Sequence, residues 1–108
     1  MPKAPKEIVK QFWQTMNTND FEVVGLLLAD DYTLEWPQSR EIVRGRDNFI
    51  RVNQNYPASG TWRFTVYSSV AEGAEVVSDV GVADGVVNAR AITFATVEGG
   101  LSVKQVEF

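Results

Sequence analysis

The chain has 108 residues, 44% of them apolar and 22% charged, with a net charge of −4; this is the balance of one folded globular domain, not of a disordered segment. It contains neither cysteine nor histidine, which excludes disulfides, thiolate nucleophiles and cysteine-held metals, effectively excludes zinc catalysis and Ser-His-Asp chemistry, and removes the commonest general base. No stretch approaches the roughly 18 apolar residues of a membrane helix, no apolar run follows Lys3 and Lys6 as in a secretory signal, and the arginines are scattered rather than gathered into a basic face. The expectation is a cytoplasmic domain with a small or neutral partner, touching neither nucleic acid nor membrane.

Ile8, Val9, Phe12, Trp13 and Met16 fall at helical spacing behind Pro5, which is tolerated in a first turn. Asn17-Thr18-Asn19 ends that helix, and Asn19 or Asp20 caps a second one reaching about residue 28. Gly25 weakens the second helix by about 1 kcal/mol relative to alanine. Tyr32, Leu34 and Trp36 alternate with Thr33 and Glu35 as a strand, and Pro37 turns the chain. A short return strand over 41–44 leads to a third helix over 46–56, stopped by Pro57. The rest reads as antiparallel strands over 62–67, 75–83, 86–97 and 101–108. Asp84-Gly85 has the composition of a two-residue hairpin turn. Three helices followed by such a sheet define an α+β domain. The whole of 1–108 reads as one domain. Because it stops on Phe108 inside an apparent strand, either that strand is an edge or the natural chain continues.

The segment Leu27-Leu28-Ala29-Asp30-Asp31-Tyr32-Thr33-Leu34-Glu35-Trp36-Pro37, the run Arg44-Gly45-Arg46-Asp47 before a helix, and the ending Val103-Lys104-Gln105-Val106-Glu107-Phe108 resemble the NTF2-like superfamily and, within it, the SnoaL-like polyketide-cyclase group. The resemblance covers nearly the whole chain. It implies a cone-like fold in which a strongly curved, mostly antiparallel sheet wraps three N-terminal helices around a hollow for a small, usually apolar ligand. It also implies a homodimer formed through the sheet. Activities in the group include isomerases, dehydratases, cyclases, epoxide hydrolases and plain binding domains, and no cofactor is implied. Ketosteroid isomerase chemistry is not expected. Its aspartate base falls on Trp36, its oxyanion tyrosine on Phe12 and its oxyanion aspartate near Arg90, so all three roles are lost.

A two-residue turn at Asp84-Gly85 pairs Ala83 with Val86 and therefore Asp79 with Arg90. If Phe94 pairs with Val103, Arg90 also faces Glu107. The expectation is a row Asp79-Arg90-Glu107 across three strands, with Arg90, Ile92 and Phe94 on one face by period two and Gln105 and Glu107 sharing a face of the next strand. The resemblance turns these faces toward the hollow. An arginine fork between two carboxylates would keep both ionised and lower their pKa values. The same row on a solvated face would be ordinary cross-strand pairing with no function.

Asp79, Arg90 and Glu107 are accordingly the candidate catalytic residues. Phe12, Tyr32, Trp36, Tyr56, Ile92, Phe94 and Gln105 are the candidate ligand-binding residues. Asp30-Asp31 reads as a solvated turn at a helix end and not as a metal pair, since a magnesium or calcium site needs more converging oxygens. Three readings follow: an enzyme of the cyclase, isomerase or hydrolase type acting on a small apolar carbonyl compound, a non-catalytic binder of such a molecule, and a dimerisation domain.

Overall fold

The computed structural model describes residues 4–55 and 60–108. Helix α1 (Pro5–Met16) buries Ile8, Val9, Phe12, Trp13 and Met16, the stripe its spacing dictates, and Pro5 occupies its first turn. Helix α2 (Phe21–Gly25) is a short turn capped by Asp20, whose Oδ1 accepts from the Val23 amide at 3.3 Å. It ends earlier than its apolar run suggests because Leu28 already belongs to strand β1 (Leu28–Trp36). Gly25 marks a close approach: a Cβ there would lie 2.6 Å from Ile50 Cδ1, on helix α3 (Arg46–Asn55). Strand β2 (Glu41–Arg44) pairs back on β1.

The remaining strands are β3 (Arg63–Glu72), β4 (Glu75–Ala83), β5 (Asn88–Glu98) and β6 (Leu101–Glu107). The six form one open sheet in the order β2-β1-β6-β5-β4-β3. Every pairing is antiparallel except β1 with β6, which is parallel. The inner face carries Leu34 of β1, Val76, Ser78 and Val80 of β4, and Ala91, Thr93, Ala95 and Val97 of β5, all buried. An α+β cone, three helices against a curved and mostly antiparallel sheet, is therefore the architecture.

Two registers differ from those the turns imply. Between β4 and β5 the connection is longer than two residues. Asp84 Oδ1 accepts from the amides of both Val86 and Val87, at 3.0 and 2.8 Å, and Ala83 pairs with Asn88. The aspartate side chain builds the loop, so Asp79 lies opposite Ile92 and Arg90 opposite Gly81. Between β5 and β6 the turn itself is tight, with Gly99 and Gly100 both at positive φ (59° and 80°). Beyond it the register shifts: Val97 pairs with Ser102 but Thr96 with Lys104. Val103 is the extra residue of a bulge, and Phe94 comes to pair with Val106. Asp30 and Asp31, read as a helix-end turn, lie inside β1, where Asp30 meets Arg46 at 2.8 Å in an exposed ion pair.

The corner between α1 and α2 is tied to the start of β3 by two asparagines that imitate a strand. Asn17 Nδ2 donates to the Phe64 carbonyl at 2.8 Å and its Oδ1 accepts from the Phe64 amide at 2.6 Å. Asn19 does the same for Trp62, at 2.8 and 2.9 Å. Asn19 also sits at φ 58°, a conformation asparagine tolerates better than most residues. Replacing Asn17 by alanine strands both Phe64 groups. We expect a loss of about 1–2 kcal/mol, measured by urea unfolding, with Asn19→Ala costing more because strain is added to the lost bonds.

Candidate functional site

The inner-face site is assembled by the parallel pair. Leu34 lies beside Gln105 and Glu35 beside Val106, so the next positions, Trp36 and Glu107, are neighbours across the two strands. The bulge at Val103 makes this possible. Before it Ser102 is the inward residue, and after it Gln105 is. The Tyr32 hydroxyl donates to Gln105 Oε1 at 2.8 Å in a buried contact. The Trp36 indole Nε1 donates to Glu107 Oε1 at 3.3 Å. Thr93, wholly buried, pairs with Glu107 from the other side.

Burial pushes the Glu107 carboxyl above the ordinary glutamate range, and the Trp36 hydrogen bond only partly opposes it. The Tyr32 hydroxyl is raised well above its usual value, first by burial and second by the charge of Glu107. A carboxyl that is half-buried as a residue, held by one indole N–H and shifted toward neutrality can both take and give a proton. Among the described residues no cluster of three acidic, cysteine or histidine residues could hold a metal ion.

The expected row Asp79-Arg90-Glu107 does not form. Arg90 and Asp79 do meet: Nε to Oδ1 is 2.9 Å and a terminal nitrogen to Oδ2 is 2.7 Å, a two-pronged pair. Their contact is diagonal, however, and exposed. The guanidinium also lies over the Tyr67 ring, 4.2 Å from its centroid, and Tyr67 fits there because Gly81 has no side chain to collide with it. Ile92 and Phe94 share this outer, exposed face, so they do not point into the hollow. The physical reason is the bulge. Phe94 pairs three residues further along β6 than expected, and an odd slip puts Glu107 on the opposite face from Arg90. The expected lowering of both carboxyl pKa values holds for Asp79, where the Arg90 hydrogen bond is the main cause, and reverses for Glu107.

Phe12 and Tyr32 are placed in the core. Phe12 meets Trp13 edge-on at 4.9 Å and Phe49 at 6.1 Å, and Tyr32 meets Phe49 edge-on at 5.4 Å. Trp36 and Glu107 are the half-buried members of the inner group. Tyr56 lies outside the described residues. Two cavities stand out. One of about 390 Å³ lies between Glu22 of α2 and Asp47, Ile50, Arg51 and Gln54 of α3. Another of about 220 Å³ lies between α1 and the β3–β4 hairpin. Neither is lined by Glu107. Sequence reasoning missed Thr93 and Ser78, two buried hydroxyl residues of the inner face; the alternation along each strand marks them once the register is known.

A curved open sheet closing over three helices is the NTF2-like cone, and the solved structures agree. A provisionally assigned ketosteroid isomerase from Kribbella flavida DSM 17836 superposes with a TM-score of 0.89 at 30% identity, over 96% of this chain and 76% of its own. An NTF-2 like protein of unknown function from Burkholderia xenovorans LB400 gives 0.85 at 22% identity, over 96% and 80%. A provisionally assigned polyketide cyclase from Sinorhizobium meliloti gives 0.81 at 13% identity, over 94% of both chains. The sequence model of the SnoaL-like domain matches residues 9–105, and the chain belongs to that family. None of the curated proteins matches it.

The raised Glu107 pKa has a consequence for stability. A carboxyl titrating higher in the folded than in the unfolded chain stabilises the fold while protonated, and that contribution is lost as pH rises through its folded value. Glu107→Gln keeps an oxygen for Trp36 and cannot ionise. Its melting temperature should match the wild type at about pH 4 and exceed it at about pH 8, measured by thermal denaturation across the range.

Proposed function

We propose that the protein binds a small, mostly apolar carbonyl compound beside Trp36 and Glu107 and acts on it by proton transfer, as an isomerase, cyclase or hydrolase does. The observation that carries this reading is the buried Glu107 carboxyl, raised in pKa and held by the Trp36 indole. In an isomerase or cyclase reaction, Glu107 removes a proton from the carbon next to the carbonyl. Negative charge then develops on the carbonyl oxygen and needs a fixed donor. Gln105 is suited to that role: its Oε1 is already taken by the Tyr32 hydroxyl, which leaves the amide N–H groups to donate. In a hydrolase, Glu107 would instead take the proton of an attacking water. Trp36 supplies an apolar wall and orients the carboxylate. The Kribbella neighbour is provisionally a ketosteroid isomerase, yet Trp36 and Phe12 stand here where the resemblance puts that enzyme's base and tyrosine. The base is therefore taken from β6. Glu107→Gln should lower turnover of an enolisable ketone at least about a hundredfold while binding changes little. An unchanged rate would remove Glu107 from the chemistry.

A second reading concerns the outer face and can hold alongside the first. Val70, Val77, Phe94 and Val106 form one ladder across four strands, and Ile92 and Phe108 extend it, with Phe108 edge-on to Phe94 at 5.8 Å. Val70, Ile92, Phe94 and Phe108 are all exposed. We propose that a second copy of the chain covers this stripe to make a homodimer, with the Asp79–Arg90 pair and Tyr67 at its polar edge. Phe94→Lys should convert the dimer to monomer in sedimentation at low micromolar concentration. A wild type that sediments as a monomer would refute the reading.

A further inference from the structure

Thr93 stands directly opposite Glu107 across β5 and β6. The next pair along, Ile92 and Phe108, exchanges both of its backbone hydrogen bonds, at 3.2 and 2.9 Å. Thr93 and Glu107 are therefore a non-hydrogen-bonded pair, the class in which opposite side chains come closest, with Cβ atoms about 4.5–5.5 Å apart. Opposite residues share a face, and Thr93 is wholly buried, so that face is the inner one. At such a spacing the glutamate stem is long enough to bring an oxygen to the threonine hydroxyl.

In this structure the hydroxyl turns the other way. Thr93 Oγ1 lies 3.5 Å from the carbonyl oxygen of Ser78 on β4, well beyond the roughly 2.7–2.8 Å of a settled O–H···O bond. That contact holds the side chain weakly, and a χ1 step of about 120° between staggered wells can carry Oγ1 from the β4 side to the β6 side. Glu107 has a use for it once ionised. Its side-chain bond among the described residues comes from Trp36, at 3.3 Å on Oε1, and a buried carboxylate is costly without further donors. Tyr32 is the titratable group that faces it, and the Tyr32 hydroxyl already donates to Gln105. No cation faces it among the described residues: Lys104 approaches Glu35 at 4.0 Å on the outer face, Arg90 grips Asp79 there, and α1 turns Lys6 and Lys10 to solvent.

We propose that Thr93 is a positioning residue for Glu107: its hydroxyl rests against the Ser78 carbonyl while the carboxyl is neutral, and turns about χ1 to donate to Oε2 when the carboxyl ionises. The inference rests on the reading of Glu107 as the group that moves the proton, and supplies it with a moving donor. The couplings of the Thr93 methyl carbon to the backbone nitrogen and carbonyl carbon report χ1 by NMR. In the wild-type chain they should pass from one staggered rotamer to another as pH rises through the Glu107 midpoint, followed by the side-chain carboxyl signal that is missing from Glu107→Gln. In Glu107→Gln they should stay constant over the same range. Thr93→Val keeps the shape and loses the donor, so its Glu107 midpoint should rise by about one pH unit, while Thr93→Ser should stay near the wild type. Wild-type couplings that do not change with pH, or a Thr93→Val midpoint equal to that of the wild type, would each overturn the proposal. The wild-type couplings decide the matter even where a variant does not fold. Catalysis is judged apart: turnover of an enolisable ketone that survives Glu107→Gln would end the proton-transfer reading and leave the rotation of Thr93 standing.

Discussion

The parallel pairing of β1 with β6 is the constraint on which the inner site depends. It brings Trp36 to Glu107 and Tyr32 to Gln105 across 71 and 73 residues of chain. Parallel neighbours cannot be joined by a tight turn, and here the whole of β2, α3 and β3–β5 intervenes between the two strands. The site therefore exists only when the last strand has docked in the middle of the sheet, between β1 and β5. Its two side-chain hydrogen bonds both bridge that late contact. Folding and site assembly are in this sense one event: nothing local holds Glu107 near Trp36 before the sheet is complete.

How much of this could be read in the sequence follows from parity. The helical stripe of α1, the alternation of Tyr32, Leu34 and Trp36, and the paired glycines before β6 are local signals, and each gave the right element. The registers are not local. At the β4–β5 connection, Asp84 folds its own carboxylate under two amides and lengthens the loop, so the pairing moves by two residues. An even slip leaves faces unchanged, and Asp79 still reaches Arg90, now diagonally. At β5–β6 the slip is odd, because one bulged residue, Val103, separates Ser102 from Lys104. An odd slip turns every later side chain over. Nothing in Leu101-Ser102-Val103-Lys104 announces a bulge: there is no glycine and no proline in the run. The same residue types were named for the site, but one unannounced bulge decides which share a surface.

The two carboxylates once expected to share an arginine illustrate what that surface does to chemistry. Asp79 lies outside, gripped by both prongs of Arg90, and its proton is held less tightly than in an ordinary aspartate. Glu107 lies inside, with a 3.3 Å bond from an indole and no cation paired with it among the described residues, and holds its proton more tightly. Pairing favours the charge and burial opposes it. A row joining all three residues would have left two weak bases. Separating them leaves a structural ion pair on one face and a titratable acid on the other.

That separation also bears on why a glutamate stands at 107 at all. Taken as a matter of folding, the position favours a neutral group. Burial works against the ionised form, the Trp36 N–H requires only an oxygen to accept it, and a glutamine supplies that oxygen without a charge. The surrounding groups, Tyr32 with Gln105 and the buried Thr93, likewise need no anion to be satisfied. The fold thus derives no evident benefit from the ability of Glu107 to ionise, while proton transfer to a bound carbonyl compound requires it. That mismatch between what packing needs and what the residue can do is what favours the proposed chemistry at Glu107.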